Sequence, residues 1–280
     1  MEPKSLALGD PFGGLALSYL DWGDPAAART VVCVHGLTRN ARDFDALAEA
    51  LAARGCRVLA VDVAGRGGSG WLADPGQYAV PVYAAQLARF LDLLGLSGVD
   101  WVGTSMGGLI GITLAAGERP PMARLVLNDI GPFVAQGAME QIRGYLGLDL
   151  RFKDLAELEA HLRLIHAGFG RLTDAQWAAL ALHSSREAPE GLRLHYDPAI
   201  REPFLVAAAK DIDLWELWDH IHCPTFVLRG AESGLLTAAT LEQMLRRGPP
   251  VEAVTLEGIG HAPALMSAEQ IAIVERWLAL

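Results

Sequence analysis

The chain has 280 residues, 51% hydrophobic and 20% charged, which excludes a disordered chain and leaves room for one large domain with an insertion. Its 33 acidic side chains outnumber 23 basic ones, and the resulting formal charge of −10 argues against nucleic acid or an anionic membrane as the main partner. Met1–Asp10 lacks a signal-like apolar core, the apolar run around Leu109–Ala116 is too short to cross a bilayer, and Cys33, Cys56 and Cys223 lack metal-like spacing, so reduced thiols and a cytoplasmic location are expected.

In chain order, Leu6–Leu8 and Leu15–Leu20 read as strands joined by a turn containing Pro11, Gly13 and Gly14. Val31–Val34 is continuously apolar, as expected of a parallel strand covered on both faces. Ala41–Arg54 has helical periodicity, with Phe44, Leu47, Ala48 and Leu51 on one face. The alternation continues with strand Arg57–Val61, helix Val82–Leu94, strand Val99–Val102, helix Gly107–Ala116 and strand Arg124–Leu127. Such alternation predicts βαβ crossovers and a mostly parallel sheet with helices on both faces. From Phe133 to about Leu217 only helical patterns and loops are read, including Phe152–His166, Asp174–His183 and the start of Leu214–Ile221. Strands resume at Thr225–Leu228 and Val251–Leu256, separated by helix Ala238–Arg246, and Ala268–Leu280 reads as a closing helix.

Chemistry concentrates at Gly103-Thr104-Ser105-Met106-Gly107, a G-x-S-x-G sequence between a strand and a helix. A serine on so sharp a turn projects its hydroxyl above the sheet, the glycines avoid side-chain clashes, and the Met106 N–H points to where a carbonyl oxygen becomes negative. Ser105 needs a neighbouring base to take its proton, and His261, in Gly260-His261-Ala262-Pro263 after the last strand, suits that task. Gly65-Arg66-Gly67-Gly68-Ser69-Gly70 satisfies G-x-G-x-x-G, but loop rather than helix follows, so it reads as a turn and no nucleotide cofactor is expected. His220 and His222 lack a third ligand, and His161 and His166 do not share a helix face, so no metal is expected. Arg39 and Asn40 line a pocket entrance or start the following helix.

With His35-Gly36-Leu37-Thr38 after the first central strand, these motifs in this order resemble the α/β-hydrolase family over nearly the whole chain. The resemblance implies an α/β-hydrolase fold: residues 1–132 and 218–280 form the core, and residues 133–217 a helical cap over the nucleophile. It implies a serine hydrolase with Leu37 and Met106 as oxyanion-hole amides, and His35 as a structural residue of the oxyanion loop. The third member of the triad departs from the pattern. In Leu228-Arg229-Gly230-Ala231-Glu232-Ser233-Gly234, the family's acid position is taken by Gly234. Asp129, at the end of the preceding strand, and Glu232 are the available replacements, or no acid is present. Phe133 and Trp177 are candidate substrate contacts within the cap, although ordinary packing is the commoner role of such residues, since cap helices need their own core. No Arg or Lys cluster is tied to the serine turn, so highly anionic substrates are not suggested. A small, mostly apolar ester or lactone is the expected substrate. C–C bond hydrolysis, lyase chemistry and a ligand-binding receptor remain alternatives on the same fold.

Overall fold

The computed structural model describes residues 1–206 and 210–280. Twelve strands are present among the described residues. They are β1 (Lys4–Ala7), β2 (Ala16–Trp22), β3 (Thr30–Val34), β4 (Arg57–Val61), β5 (Val99–Thr104), β6 (Met122–Asn128), β7 (Phe133–Val134), β8 (Ser185–Ala188), β9 (Gly191–Leu194), β10 (Ile212–Asp213), β11 (Thr225–Gly230) and β12 (Val251–Leu256). Eight form the central sheet in the order β1-β2-β4-β3-β5-β6-β11-β12. From β4 to β12 every pairing is parallel, while β2 runs antiparallel to both of its neighbours.

The alternation of side chains along each strand decides what lies on each face. In β3, Val32 and Val34 enter one apolar layer, whereas Val31 and Cys33 enter the other. The same division separates Leu59 and Val61 from Val58 and Ala60 in β4, and Leu125 and Leu127 from Val126 in β6. The first layer is closed by helices α2 (Val80–Leu93) and α3 (Met106–Ala115), whose Leu87, Phe90, Ile110 and Ile112 are buried. The second is closed by α1 (Asp45–Ala53) and, near the C-terminus, a helix at Ala268–Leu278, through Leu47, Leu51, Val274 and Leu278. The expected helix at Ala41–Arg54 is divided: Asn40 caps a 3-10 turn over Ala41–Phe44, and α1 starts at Asp45.

Between β6 and β11 the described residues add nothing to the central sheet. It carries α4 (Gln136–Tyr145), α5 (Leu155–Ile165), α6 (Asp174–Ser184), α7 (Glu202–Val206) and α8 (Trp215–Asp219). The strand-free expectation for this stretch is corrected on two points. β8 and β9 form an antiparallel hairpin, whose Leu192 exchanges backbone hydrogen bonds with Phe152. β7 and β10 pair Phe133 with Asp213 and Val134 with Ile212, tying together the two ends of the stretch. Neither pair has a long run of β-branched residues, so local propensity gave no signal and tertiary pairing decided. Helices α9 (Ala238–Met244) and α10 (Ala268–Leu278) complete the chain.

Candidate active site

β5 ends at Thr104 and α3 begins at Met106, leaving Ser105 alone at the turn with φ 51° and ψ −115°. A left-handed φ is costly for a residue with a side chain, and it persists here because the surroundings over-determine it. A Cβ on Gly103 would overlap the Gly107 carbonyl, and one on Gly107 would overlap the Val34 carbonyl of β3. Strand and helix can therefore close on each other only with glycine at both positions.

Asp129 follows β6, also with a left-handed φ of 56°, and is fully buried. Its backbone N–H donates to the Leu228 carbonyl at 2.7 Å, and its Oδ1 accepts from the Gly230 N–H at 2.8 Å. Both partners belong to β11, so the neighbouring strand sets the carboxylate's position. Asp129 Oδ2 lies 2.7 Å from His261 Nδ1, and His261 Nε2 lies 2.9 Å from Ser105 Oγ. With Nδ1–H donating to the carboxylate, Nε2 carries the lone pair and accepts from the serine hydroxyl. Asn128 fixes this loop against the turn: its Nδ2 donates to Thr104 Oγ1 at 3.0 Å and to the Pro263 carbonyl at 2.8 Å. Glu232 is not brought to the imidazole. Its side chain is exposed, and its backbone N–H donates to the Ile259 carbonyl. At Gly234 a side chain would meet open space.

The loop after β3 supplies a second group. The Gly36 carbonyl accepts from His35 Nδ1 at 2.7 Å and from the Arg39 N–H at 3.1 Å. The Leu37 N–H belongs to the same trans peptide and points the opposite way. Neither the Leu37 nor the Met106 amide is engaged by another protein group among the described residues. Both residues line a cavity that Ser105 also lines. His35 is buried, its Nε2 accepts from the Val63 N–H at 3.0 Å, and burial pushes its pKa down to about 3. It is thus a neutral ring of fixed tautomer that shapes the loop.

Arg66 is a participant that sequence reasoning set aside within the glycine-rich turn. It is completely buried and donates to the Leu37 carbonyl at 2.9 Å, the Ala64 carbonyl at 2.8 Å and Tyr83 OH at 2.7 Å. An arginine between glycines beside a buried aspartate was the available signal. That aspartate, Asp62, accepts from the Ala41 and Gly68 N–H groups and fixes the turn, while burial raises its carboxyl to about 6.

Ser105 lies between two cavities. One, of about 310 Å³, is lined by Tyr83, Met106, Leu109, Val134 and Ile142 among others. The other, of about 340 Å³, includes His261, His166 and Phe169, with the last two rings stacked at 4.3 Å between centroids. Phe133 and Trp177 line neither cavity. Alternation in β7 presents Val134 to the cavity in place of Phe133, and Trp177 packs with Phe152, Leu158 and Leu180 in a separate apolar cluster. Among the described residues no group of three or more His, Cys, Asp or Glu is gathered to hold a metal ion. No helix among them is long and apolar enough to cross a membrane.

A mostly parallel sheet carrying a serine at a strand-to-helix turn, with a histidine and a carboxylate in line behind it, has the architecture of an α/β hydrolase. The model of the alpha/beta hydrolase family matches residues 31–273. A 3-hydroxybutyrate-oligomer hydrolase of Cupriavidus necator is 44% identical over 95% of this chain and 94% of its own length. Esterase Rv0045c of Mycobacterium tuberculosis is 30% identical over 93% of this chain and 84% of its own. The crystal structure of an alpha/beta hydrolase from Novosphingobium aromaticivorans superposes with a TM-score of 0.85, at 36% identity over 99% of this chain and 98% of that one. The chain belongs to the alpha/beta hydrolase family.

Proposed function

We propose that this carboxylic ester hydrolase cleaves small, mostly apolar esters or lactones through an acyl-enzyme formed on Ser105. The observation that carries the reading is the unbroken line of hydrogen bonds from Asp129 through His261 to Ser105, opening between two largely apolar cavities. His261 Nε2 takes the hydroxyl proton as Ser105 Oγ attacks the carbonyl carbon. The oxyanion lies against the Leu37 and Met106 N–H groups, each of which contributes roughly 3 kcal/mol by comparison with other such donors. His261 returns the proton to the leaving alkoxide. Water, deprotonated by the same nitrogen, then hydrolyses the acyl-enzyme. Asp129 holds the imidazole in the needed tautomer and stabilises its charged form, while His35 and Arg66 hold the Leu37 peptides.

Residues 133–217 act in this reading as a cap, since Val134, Ile142, Tyr145, His166 and Phe169 all reach the cavities beside the serine. The Cupriavidus necator relative is named for 3-hydroxybutyrate oligomers. Short linear oligoesters of that kind fall within the proposed class and head the substrates to be tried. Free Cys33 and Cys56, both buried, fit a reducing, cytoplasmic compartment.

A fluorophosphonate probe and short 4-nitrophenyl esters test the proposal. Labelling and turnover in the native enzyme, both lost in Ser105→Ala, are expected. Ester turnover that survives Ser105→Ala, or ligand binding with neither labelling nor turnover, would refute it.

A further inference from the structure

The 310 Å³ cavity beside Ser105 is apolar along most of its wall, yet two cations line it: Arg143, in the last turn of α4, and Lys210, just before β10. Among the described residues no carboxylate lines it. The acids nearest to these cations in sequence have other partners. Glu140, one turn before Arg143, accepts from the Gln136 side chain at 2.8 Å, and Asp211, next to Lys210, accepts from the Gln136 N–H at 2.7 Å. Neither cation takes part in an ion pair among the described residues. By contrast, Arg39 in the other cavity is held by Asp43, at 2.6 and 2.8 Å. His166 beside it is kept neutral, its pKa pushed well down by burial first and then by the Arg39 charge.

The two sides of the serine therefore differ in charge. One is balanced; the other carries two uncompensated positive groups at the edge of an apolar chamber, in a protein whose formal charge is −10. Two side chains far apart in sequence converge on one cavity, which is why no cluster was visible in the sequence around Ser105. An apolar wall ending in unpaired cations fits a chain with a free anionic end, because a charge in a partly enclosed site gains more from an opposite charge than it does in open water.

We propose that Arg143 and Lys210 select esters that also carry a remote free carboxylate, binding that carboxylate in the cavity while Ser105 attacks the ester carbonyl. This rests on the ester-hydrolase reading above and narrows its substrate class. The carboxylate can belong to the acyl half, as in a half-ester of a dicarboxylic acid, or to the alcohol half, as in an ester of a hydroxy acid. Recognition by the two cations is the same in either case.

The test compares each acid with its neutral methyl ester. The acyl-side pair is the mono-4-nitrophenyl ester of a six-carbon dicarboxylic acid and the mixed methyl 4-nitrophenyl diester of the same acid; the alcohol-side pair is O-butyryl-3-hydroxybutyrate and its methyl ester. The native enzyme is expected to show kcat/KM at least about tenfold higher for the acid in one pair, carried mainly by KM, and to lose the preference as salt screens the contact. In Arg143→Gln and Lys210→Gln the ratio within that pair falls toward one, and Arg143→Lys restores part of it. Fluorophosphonate labelling of each variant reports that the serine site is intact. Ratios near one in both pairs of the native enzyme, or a preference insensitive to salt and to both substitutions, would overturn the proposal. Absence of turnover of the neutral esters together with absence of labelling would instead refute the hydrolase reading on which it rests.

Discussion

In the proposed mechanism Asp129 orients the imidazole. Each carboxylate oxygen faces one donor: Oδ1 the Gly230 N–H and Oδ2 the His261 Nδ1–H. In Asp129→Asn one of those donors meets an NH₂ group, and the imidazole is driven toward the tautomer that cannot accept from Ser105. The expected loss in kcat on 4-nitrophenyl butyrate is roughly 10⁴-fold, whereas Glu232→Gln stays near the native rate. The opposite pattern would move the role to Glu232. Ser105 and His261 were legible in the sequence because each sits in a local motif at a strand end. For the carboxylate the sequence offered both Asp129 and Glu232 without deciding between them, because the choice is made by β6 lying beside β11, and adjacency between strands far apart in sequence leaves no local trace. Arg66 escaped for the same reason: its partners Leu37 and Tyr83 come from other segments.

Two glycines in helices illustrate how a position in an element decides the effect of one methyl group. Gly107 is buried in α3 against β3, where an added Cβ overlaps the Val34 carbonyl. Gly137 is in α4, where nothing lies within 4 Å of the same atom. Alanine is the better helix former by about 1 kcal/mol, so Gly137→Ala is expected to stabilise the fold by up to that amount. At Gly107 the overlap outweighs that gain, and Gly107→Ala is expected to destabilise by roughly 3 kcal/mol and to disturb Ser105 as well. Urea unfolding of both variants checks the contrast; equal effects would contradict it. The central strands were readable as elements because burial on both faces leaves continuous apolar runs such as Val31–Val34. The β8–β9 hairpin was not, because Arg186, Glu187 and Arg193 carry little strand propensity and Phe152 supports it from outside.

For the molecule as a whole, Asp62 makes folding stability depend on pH. Its carboxyl binds a proton more tightly folded than unfolded, since burial raises it to about 6. Its contribution is therefore full in acid, below the ordinary carboxylate range near 4, and is lost as the pH rises through about 6; the span is worth up to about 3 kcal/mol. Asp62→Asn has no such proton, so its destabilisation relative to the native chain should be larger at pH 4 than at pH 7. A difference independent of pH in urea titrations would count against this. The division of the chain into a sheet interrupted by a mainly helical stretch was legible from the break in alternation after Gly131-Pro132. The pairing of Phe133–Val134 with Ile212–Asp213, reinforced by the Leu214 N–H donating to the Pro132 carbonyl at 2.7 Å, could not be read in advance. Because of that ladder, the intervening polypeptide departs and returns through a single doorway. The same stretch is also bonded to the loops beneath it, with the Gly67 N–H donating to the His195 carbonyl, the Asp197 N–H to the Gly65 carbonyl, and the Gly260 N–H, beside His261, to the Gly168 carbonyl, so an insertion or deletion there is transmitted to the surroundings of the serine.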